Sequence, residues 1–292
     1  MSQASVCLLG FGEVGQIFAA DLMRAGVQSL CAWDVLFARE ASVPSRAARD
    51  LRVRMAASAA SAAQGVDLVV SAVTAAQATE AARSIAPGLA RGAFFLEINS
   101  VAPEAKQEIA RIVDAAGGRY VEAAMMSPVA PKGIASPILL GGPQAAAFAS
   151  FGLPLGFTGT SVFAEEIGRA SAAKMSRSVI VKGMEALLTE SLLTARKHGV
   201  EQTVLASLQQ LFPGADWPKL ARYMISRSLV HGRRRAEEMR EVARTVENAG
   251  IAPHMSAACA ERQDWAAQFG ECAGVEELES MLDAVLSRAR AE

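Results

Sequence analysis

The sequence predicts an α/β fold, a doubly wound sheet over residues 1–163, followed by an all-α domain over 164–292 reached through a long inter-domain helix. Three observations predict it. Short apolar runs alternate with helix-like segments up to about residue 163, strand signals stop after it, and a glycine-rich turn joins the first run to the first helix. The strand-like runs are SVCLLG (5–10), SLCAWD (29–34), a weaker VRM (53–55), VDLVVSAV (66–73), AFFLEI (93–98), RYVEAAMM (119–126) and PILLGG (137–142). Between them stand helical patterns such as EVGQIFAADLMRAG and PEAKQEIARIVDAAGG, the second opening on Pro103 and closing on glycines. Such alternation argues for a parallel sheet covered on both faces. The second half reads as helices over roughly 164–198, 201–211, 217–249, 254–269 and 275–290, the third opened by Asp216 and Pro218 and closed by Gly250.

At 292 residues and 51% hydrophobic, the chain is long enough for two cores. A formal net charge of −1 provides no whole-protein field to recruit nucleic acid or an anionic membrane, so neither partner is expected. Cys7, Cys31, Cys259 and Cys272 show no metal-ligand spacing and read as core thiols, with no metal expected. The first residues, MSQASVCLLGFGEVG, lack a basic leader and break at glycine, and there is no apolar run of membrane-spanning length. A cytoplasmic location is the expectation.

Gly10-Phe11-Gly12-Glu13-Val14-Gly15 follows the first run directly and opens a helix. In such a loop the first glycine makes the tight turn, the second lets backbone approach a pyrophosphate, and the third lets helix and strand pack closely. The pyrophosphate would face the free N–H groups at the helix start, including those of Glu13 and Val14. Asp34 lies 19 residues beyond Gly15 at the end of the second run, where a carboxylate can accept hydrogen bonds from the adenosine ribose. Together these predict a Rossmann-type dinucleotide site. The Asp34 carboxylate would repel a 2′-phosphate, which favours NAD; NADP stays open through Arg39 and Arg46 if Asp34 turns away.

Hydride chemistry needs a group to accept or return the hydroxyl proton. Lys174 is the candidate: its helical neighbours Ala170, Ser171, Ser178 and Val181 are small or apolar, with no acidic residue at i±3 or i±4. Desolvation there would disfavour its charged form. A snorkelling lysine at a domain seam is the alternative.

The glycine loop, EINSVAP (97–103), YVEAAMMSPVAPKG (120–133) and IGRASAAKM (167–175) resemble the 3-hydroxyacid dehydrogenase superfamily, which includes 3-hydroxyisobutyrate and 6-phosphogluconate dehydrogenases. The resemblance implies Lys174 as the acid/base catalyst. It also implies contacts from Asn99 and Ser100 to nicotinamide and substrate, and a serine after the 119–126 run for the substrate carboxylate. Val73 and Thr74 join Asn99 as expected cofactor contacts. Where the family usually has Asp-Ala-Pro-Val-Ser-Gly-Gly, this chain has Glu122-Ala-Ala-Met-Met-Ser-Pro, which displaces the serine to Ser127. Met125 and Met126 are core filler or, if they face the site, suit a bulkier apolar substituent. Ser178 stands where the family has asparagine and is kept as a second catalytic candidate.

His231, Arg234 and Arg235 share one helical face and could grip an anion; alternatively the run is a solvated face in which Arg233 pairs with Glu237 and Arg234 with Glu238 at i+4. Gly232 in mid-helix implies close approach of something. The run resembles a phosphogluconate-dehydrogenase-like subgroup with a His-Gly-x-Arg-Arg-x-x-Glu-Met helical domain, and His231 and Arg234 are the expected substrate contacts. Lys182 and Glu185, two and three turns after Lys174, are further candidates, with an i,i+3 ion pair as their ordinary reading. By analogy with 6-phosphogluconate dehydrogenases, whose anion site is completed by the partner subunit, a homodimer is expected.

The resulting expectation is an NAD(P)-dependent oxidoreductase that moves hydride between a nicotinamide and a 3-hydroxy acid or related small anionic hydroxy compound. An imine reductase on the same fold is one alternative, though that group typically lacks the lysine. A non-catalytic NAD-binding sensor is another.

Overall fold

The computed structural model describes residues 4–289, and the chain divides into two units, one ending at Met175 and the other beginning at Ser176. The first unit runs β1 (Ser5–Leu9), α1 (Glu13–Arg24), β2 (Ser29–Trp33), α2 (Val43–Asp50), β3 (Arg54–Met55), α3 (Ala59–Ala63), β4 (Leu68–Ser71) and α4 (Ala78–Ile85). It continues through β5 (Phe94–Glu97), α5 (Pro103–Ala115), β6 (Arg119–Met125), β7 (Ile138–Gly141), α6 (Ala145–Gly152), β8 (Thr160–Ala164) and the start of α7 (Arg169–Lys197).

The strands form one sheet in the order β3-β2-β1-β4-β5-β6-β7-β8. Its first six strands are parallel, in the doubly wound order that places ligands outside the strand carboxyl ends. Alternate residues feed two cores: Val6 and Leu8 enter one, Cys7 and Leu9 the other. Phe18, Phe94, Phe148 and Phe157 fill the first by edge-on contacts, with Phe148 and Phe157 centroids 5.4 Å apart. Alanines of α3 and α4 let helices approach closely on the other side. All four cysteines are free and buried.

The expected sheet is corrected in two places. β7 runs antiparallel to β6, because the connection between them holds only a short helical turn at Gly133–Ala135 and no crossover helix. β8 pairs parallel with β7, although no strand was expected at 160–164. Its apolar residues Val162 and Phe163 are adjacent and exposed on the sheet edge, so they carry neither alternation nor a buried run.

The long helix starts at Arg169 rather than 164, since Gly168 stands before it at φ +102°. Its first turns belong with the sheet: Ala170, Ser171 and Met175 are buried, and the first unit extends to Met175 rather than 163.

The second unit holds the rest of α7, then α8 (Glu201–Leu211), α9 (Trp217–Asn248), α10 (His254–Ala266) and α11 (Leu278–Ala289). Asp216 caps α9 by accepting from Lys219 N at 3.2 Å, with Pro218 in the first turn. Leu192, Ile225, Leu229, Phe269, Met281 and Leu282 are among its core residues. A Cβ at Gly232 would stand 2.3 Å from the Gln263 carbonyl oxygen, so the close approach that glycine implies is that of α10. No helix among the described residues is long and apolar enough to cross a membrane.

Candidate active site

Two of the three loop glycines answer to the protein's own packing. Gly10 adopts φ +97° and its N–H donates to the Trp33 carbonyl at 2.9 Å, while a Cβ there would stand 2.4 Å from the Ala72 carbonyl oxygen. A Cβ at Gly15 would stand 2.3 Å from the Gly10 oxygen, so α1 can seat on the loop only with glycine there. Gly12 differs: a Cβ would meet no protein atom within 4 Å. It is also the N-cap of α1 and provides no side-chain cap, so the first-turn N–H groups of Glu13, Val14 and Gly15 point where a pyrophosphate would lie. The loop therefore fits a dinucleotide. Accordingly, Gly12→Ala should keep the wild-type melting temperature and weaken NAD binding, whereas Gly15→Ala should lower the melting temperature. Equal effects on both quantities in the two variants would contradict this division.

Asp34, at the end of β2, is fixed beside the loop. One carboxylate oxygen accepts from Phe11 N and the other from Leu36 N, each at 2.8 Å. Each oxygen keeps lone-pair capacity for a ribose hydroxyl. Arg46 is committed to the Ala41 carbonyl at 2.8 Å.

The next strand ends bring Val73 and Asn99 together. Val73 N donates to Asn99 Oδ1 at 2.7 Å, and Asn99 Nδ2 donates to Ser71 Oγ at 3.0 Å. Thr74 stands at the N-cap position of a short helical turn at Ala75–Gln77 without a side-chain capping bond. Asn99 is held from below by a buried polar network absent from the sequence-based expectations. Glu97 accepts from Asn99 N at 2.7 Å and pairs with the Lys106 ammonium at 2.5 Å, and Lys106 also donates to the Asn99 carbonyl at 2.9 Å. Tyr120 donates to the same carboxylate at 3.3 Å. Burial, with Glu97 and Glu122 nearby, pushes the Tyr120 phenol well above its ordinary pKa, so it stays a neutral donor.

Lys174 and Ser100 also meet. The ammonium donates to Ser100 Oγ at 2.6 Å in a partly buried setting. Ser171, one turn earlier, donates its hydroxyl to the Val101 carbonyl. The buried Glu122 carboxylate of β6 accepts from Gly168 N at 2.7 Å and Ser171 N at 2.6 Å.

Ser127 lies beyond β6 and its hydroxyl donates to the Pro128 carbonyl at 3.1 Å. Met125 packs into the sheet core, while Met126 is only partly buried.

Ser178, His231 and Arg234 lie in the second unit. Ser178 is buried on α7, and His231 is partly buried on α9. Arg234 is exposed, 3.9 Å from Glu238, and it is Arg235 that turns inward, onto Glu185 at 2.9 Å. Lys182 pairs with Glu238 at 2.5 Å. The i,i+3 reading of Lys182 and Glu185 is thus corrected: each reaches across to α9, because both side chains are buried where the helices pack. Burial pushes the Glu185 carboxyl up against the opposing pull of Arg235 and Lys182. It also pushes the Cys259 thiol up to about 11, which makes this cysteine a poor nucleophile.

Residues 5–151, half of the chain, match the family model described as the NAD binding domain of 6-phosphogluconate dehydrogenase. Residues 195–266 match a domain of unknown function, DUF1932. A conserved hypothetical protein of Sinorhizobium meliloti is 34% identical, with 98% of this chain and 97% of that one covered and a TM-score of 0.74. A conserved protein of unknown function, described as structurally similar to 3-hydroxyacid dehydrogenases, is 30% identical over 91% of this chain and 99% of that one, with a TM-score of 0.66. An uncharacterized 28.5 kDa protein of Methanothermus fervidus is 26% identical over 164 residues, covering 55% of this chain and 61% of that protein. The match thus spans less than two thirds of that curated relative.

Proposed function

The chain belongs to the family of the NAD binding domain of 6-phosphogluconate dehydrogenase, and from that premise we propose that it is an NAD-dependent oxidoreductase acting on a 3-hydroxy acid. The observation that carries the proposal is the 2.6 Å contact of Lys174 Nζ with Ser100 Oγ, one residue from the Asn99 that holds Val73. A bound nicotinamide dinucleotide supplies the hydride acceptor. The first-turn N–H groups beside Gly12 would hold its pyrophosphate, with Gly10 and Gly15 shaping the loop, Asp34 would take the adenosine ribose, and Val73, Thr74 and Asn99 would contact its nicotinamide.

In the oxidation direction the carbinol C–H bond breaks as hydride leaves and the O–H proton passes to the neutral amine of Lys174. In reduction the ammonium returns it to the carbonyl oxygen. Ser100 holds the hydroxyl oxygen beside that amine, and Ser127, on turning its hydroxyl away from the Pro128 carbonyl, is the donor proposed for the substrate carboxylate. The pinned Asp34 carboxylate and the local engagement of Arg46 support NAD over NADP. The proposal is tested by binding titrations and initial rates with each nucleotide on a set of 3-hydroxy acids. NAD should bind more tightly and support the higher kcat/KM, and Asp34→Ser should narrow that difference. An NADP preference in the wild type would contradict the assignment of Asp34.

A further inference from the structure

We propose that Glu122 is a positioning residue for Lys174: its carboxylate, fixed on β6, sets the first turn of α7 and so where the Lys174 ammonium stands against Ser100. This rests on the reading of Lys174 as the proton-transfer group.

Helix starts are ordinarily closed by a local serine, threonine, aspartate or asparagine. Here the N-cap position holds Gly168 at φ +102°, and the first intrahelical bond runs from Ala172 N to its carbonyl at 2.8 Å. Glu122 provides both acceptors instead, one for the Gly168 N–H and one for the Ser171 N–H, and its charge sits at the favourable end of the helix dipole. The helix start is thereby referenced to a central strand rather than to its own loop. Ser171 and Lys174, three positions apart, then engage the consecutive residues Val101 and Ser100. The other side of that contact is fixed in a parallel way, because Glu97, directly opposite Glu122 in the β5–β6 pairing, holds Asn99. Gly141 completes the arrangement: a Cβ there would stand 2.4 Å from Glu122 Oε2. Glutamine could not replace the carboxylate, since it has one acceptor oxygen and would present an amino group to the second N–H.

The test uses full-length protein with isotopically labelled lysines, the Lys174 signal being identified by its loss in Lys174→Ala. Glu122→Gln should move that signal to where Ser100→Ala puts it, and the double variant should move it no further. On the hydroxy acid the wild type turns over fastest, kcat per NAD-binding site should fall by about 10- to 100-fold, since a displacement on the order of 1 Å can cost that much. NAD affinity should not change. Gly141→Ala, which displaces the carboxylate and keeps its charge, should act in the same direction, and it decides the matter if Glu122→Gln does not fold. A folded variant with a lower melting temperature but a wild-type Lys174 signal and wild-type kcat per site would overturn the proposal, leaving Glu122 as a helix cap only. Turnover that survives Lys174→Ala would instead overturn the role of Lys174, while the lysine signal would still report whether Glu122 positions it.

Discussion

Lys174→Ala should lower kcat/KM for hydroxy-acid oxidation by about 10²- to 10⁴-fold, the range a positioned acid/base group contributes. NAD affinity should be unchanged. The two effects separate because the groups that fit the dinucleotide are fixed without the lysine: Gly10 by the Trp33 carbonyl, Asp34 by Phe11 N and Leu36 N, Val73 by Asn99. The ammonium touches Ser100, whose neighbour Asn99 is held independently by Glu97 and Lys106. Initial rates and isothermal titration on the same preparation give both quantities. Loss of NAD binding together with turnover would make Lys174 a structural residue.

Lys106→Met should be the most damaging substitution for stability in the sheet domain. It leaves the Glu97 carboxylate, fully buried, without its counter-ion, and breaking a buried pair in this way costs about 3–5 kcal/mol. It also removes the donor that the Lys106 ammonium brings to the Asn99 carbonyl. In a unit of this size the melting temperature should fall on the order of 10 °C. Adding Glu97→Gln should recover part of the loss, because a neutral amide needs no counter-ion and its oxygen can still accept from Tyr120. Chemical denaturation of the single and double variants checks this; a single variant within about 1 kcal/mol of wild type would mean that the Glu97–Lys106 pair is not what holds this part of the sheet domain together.

The parts of the fold that could be read from sequence are those where local chemistry and tertiary structure agree. β1, the glycine loop, α1 and β2 form a continuous pattern of apolar run, glycine turn, amphipathic helix and terminal carboxylate, and each step has its own physical reason. The helices of the second unit were likewise legible, because Asp216, Pro218, Gly199 and Gly250 punctuate them. β8 was not, because its apolar residues face solvent on an edge. Glu97, Lys106 and Glu122 escaped for a different reason: a charged residue in an apolar strand or on a helix face looks solvent-exposed until its distant partner is known. Glu97 and Lys106 are nine residues apart and Glu122 is 46 from Gly168, separations at which no periodicity signals a pair. The same holds for Lys182 and Glu185, close enough in sequence to suggest each other yet bound to Glu238 and Arg235.

The most direct test of lysine-assisted hydride transfer is the pH dependence of kcat/KM for the wild type and Lys174→Ala, measured with NAD on the best 3-hydroxy acid. Oxidation requires the neutral amine, so the wild-type rate should climb through one titrating limb as pH rises, and the residual rate of the variant should lack that limb. An identical limb in both proteins would place the proton on another group and remove Lys174 from the chemistry.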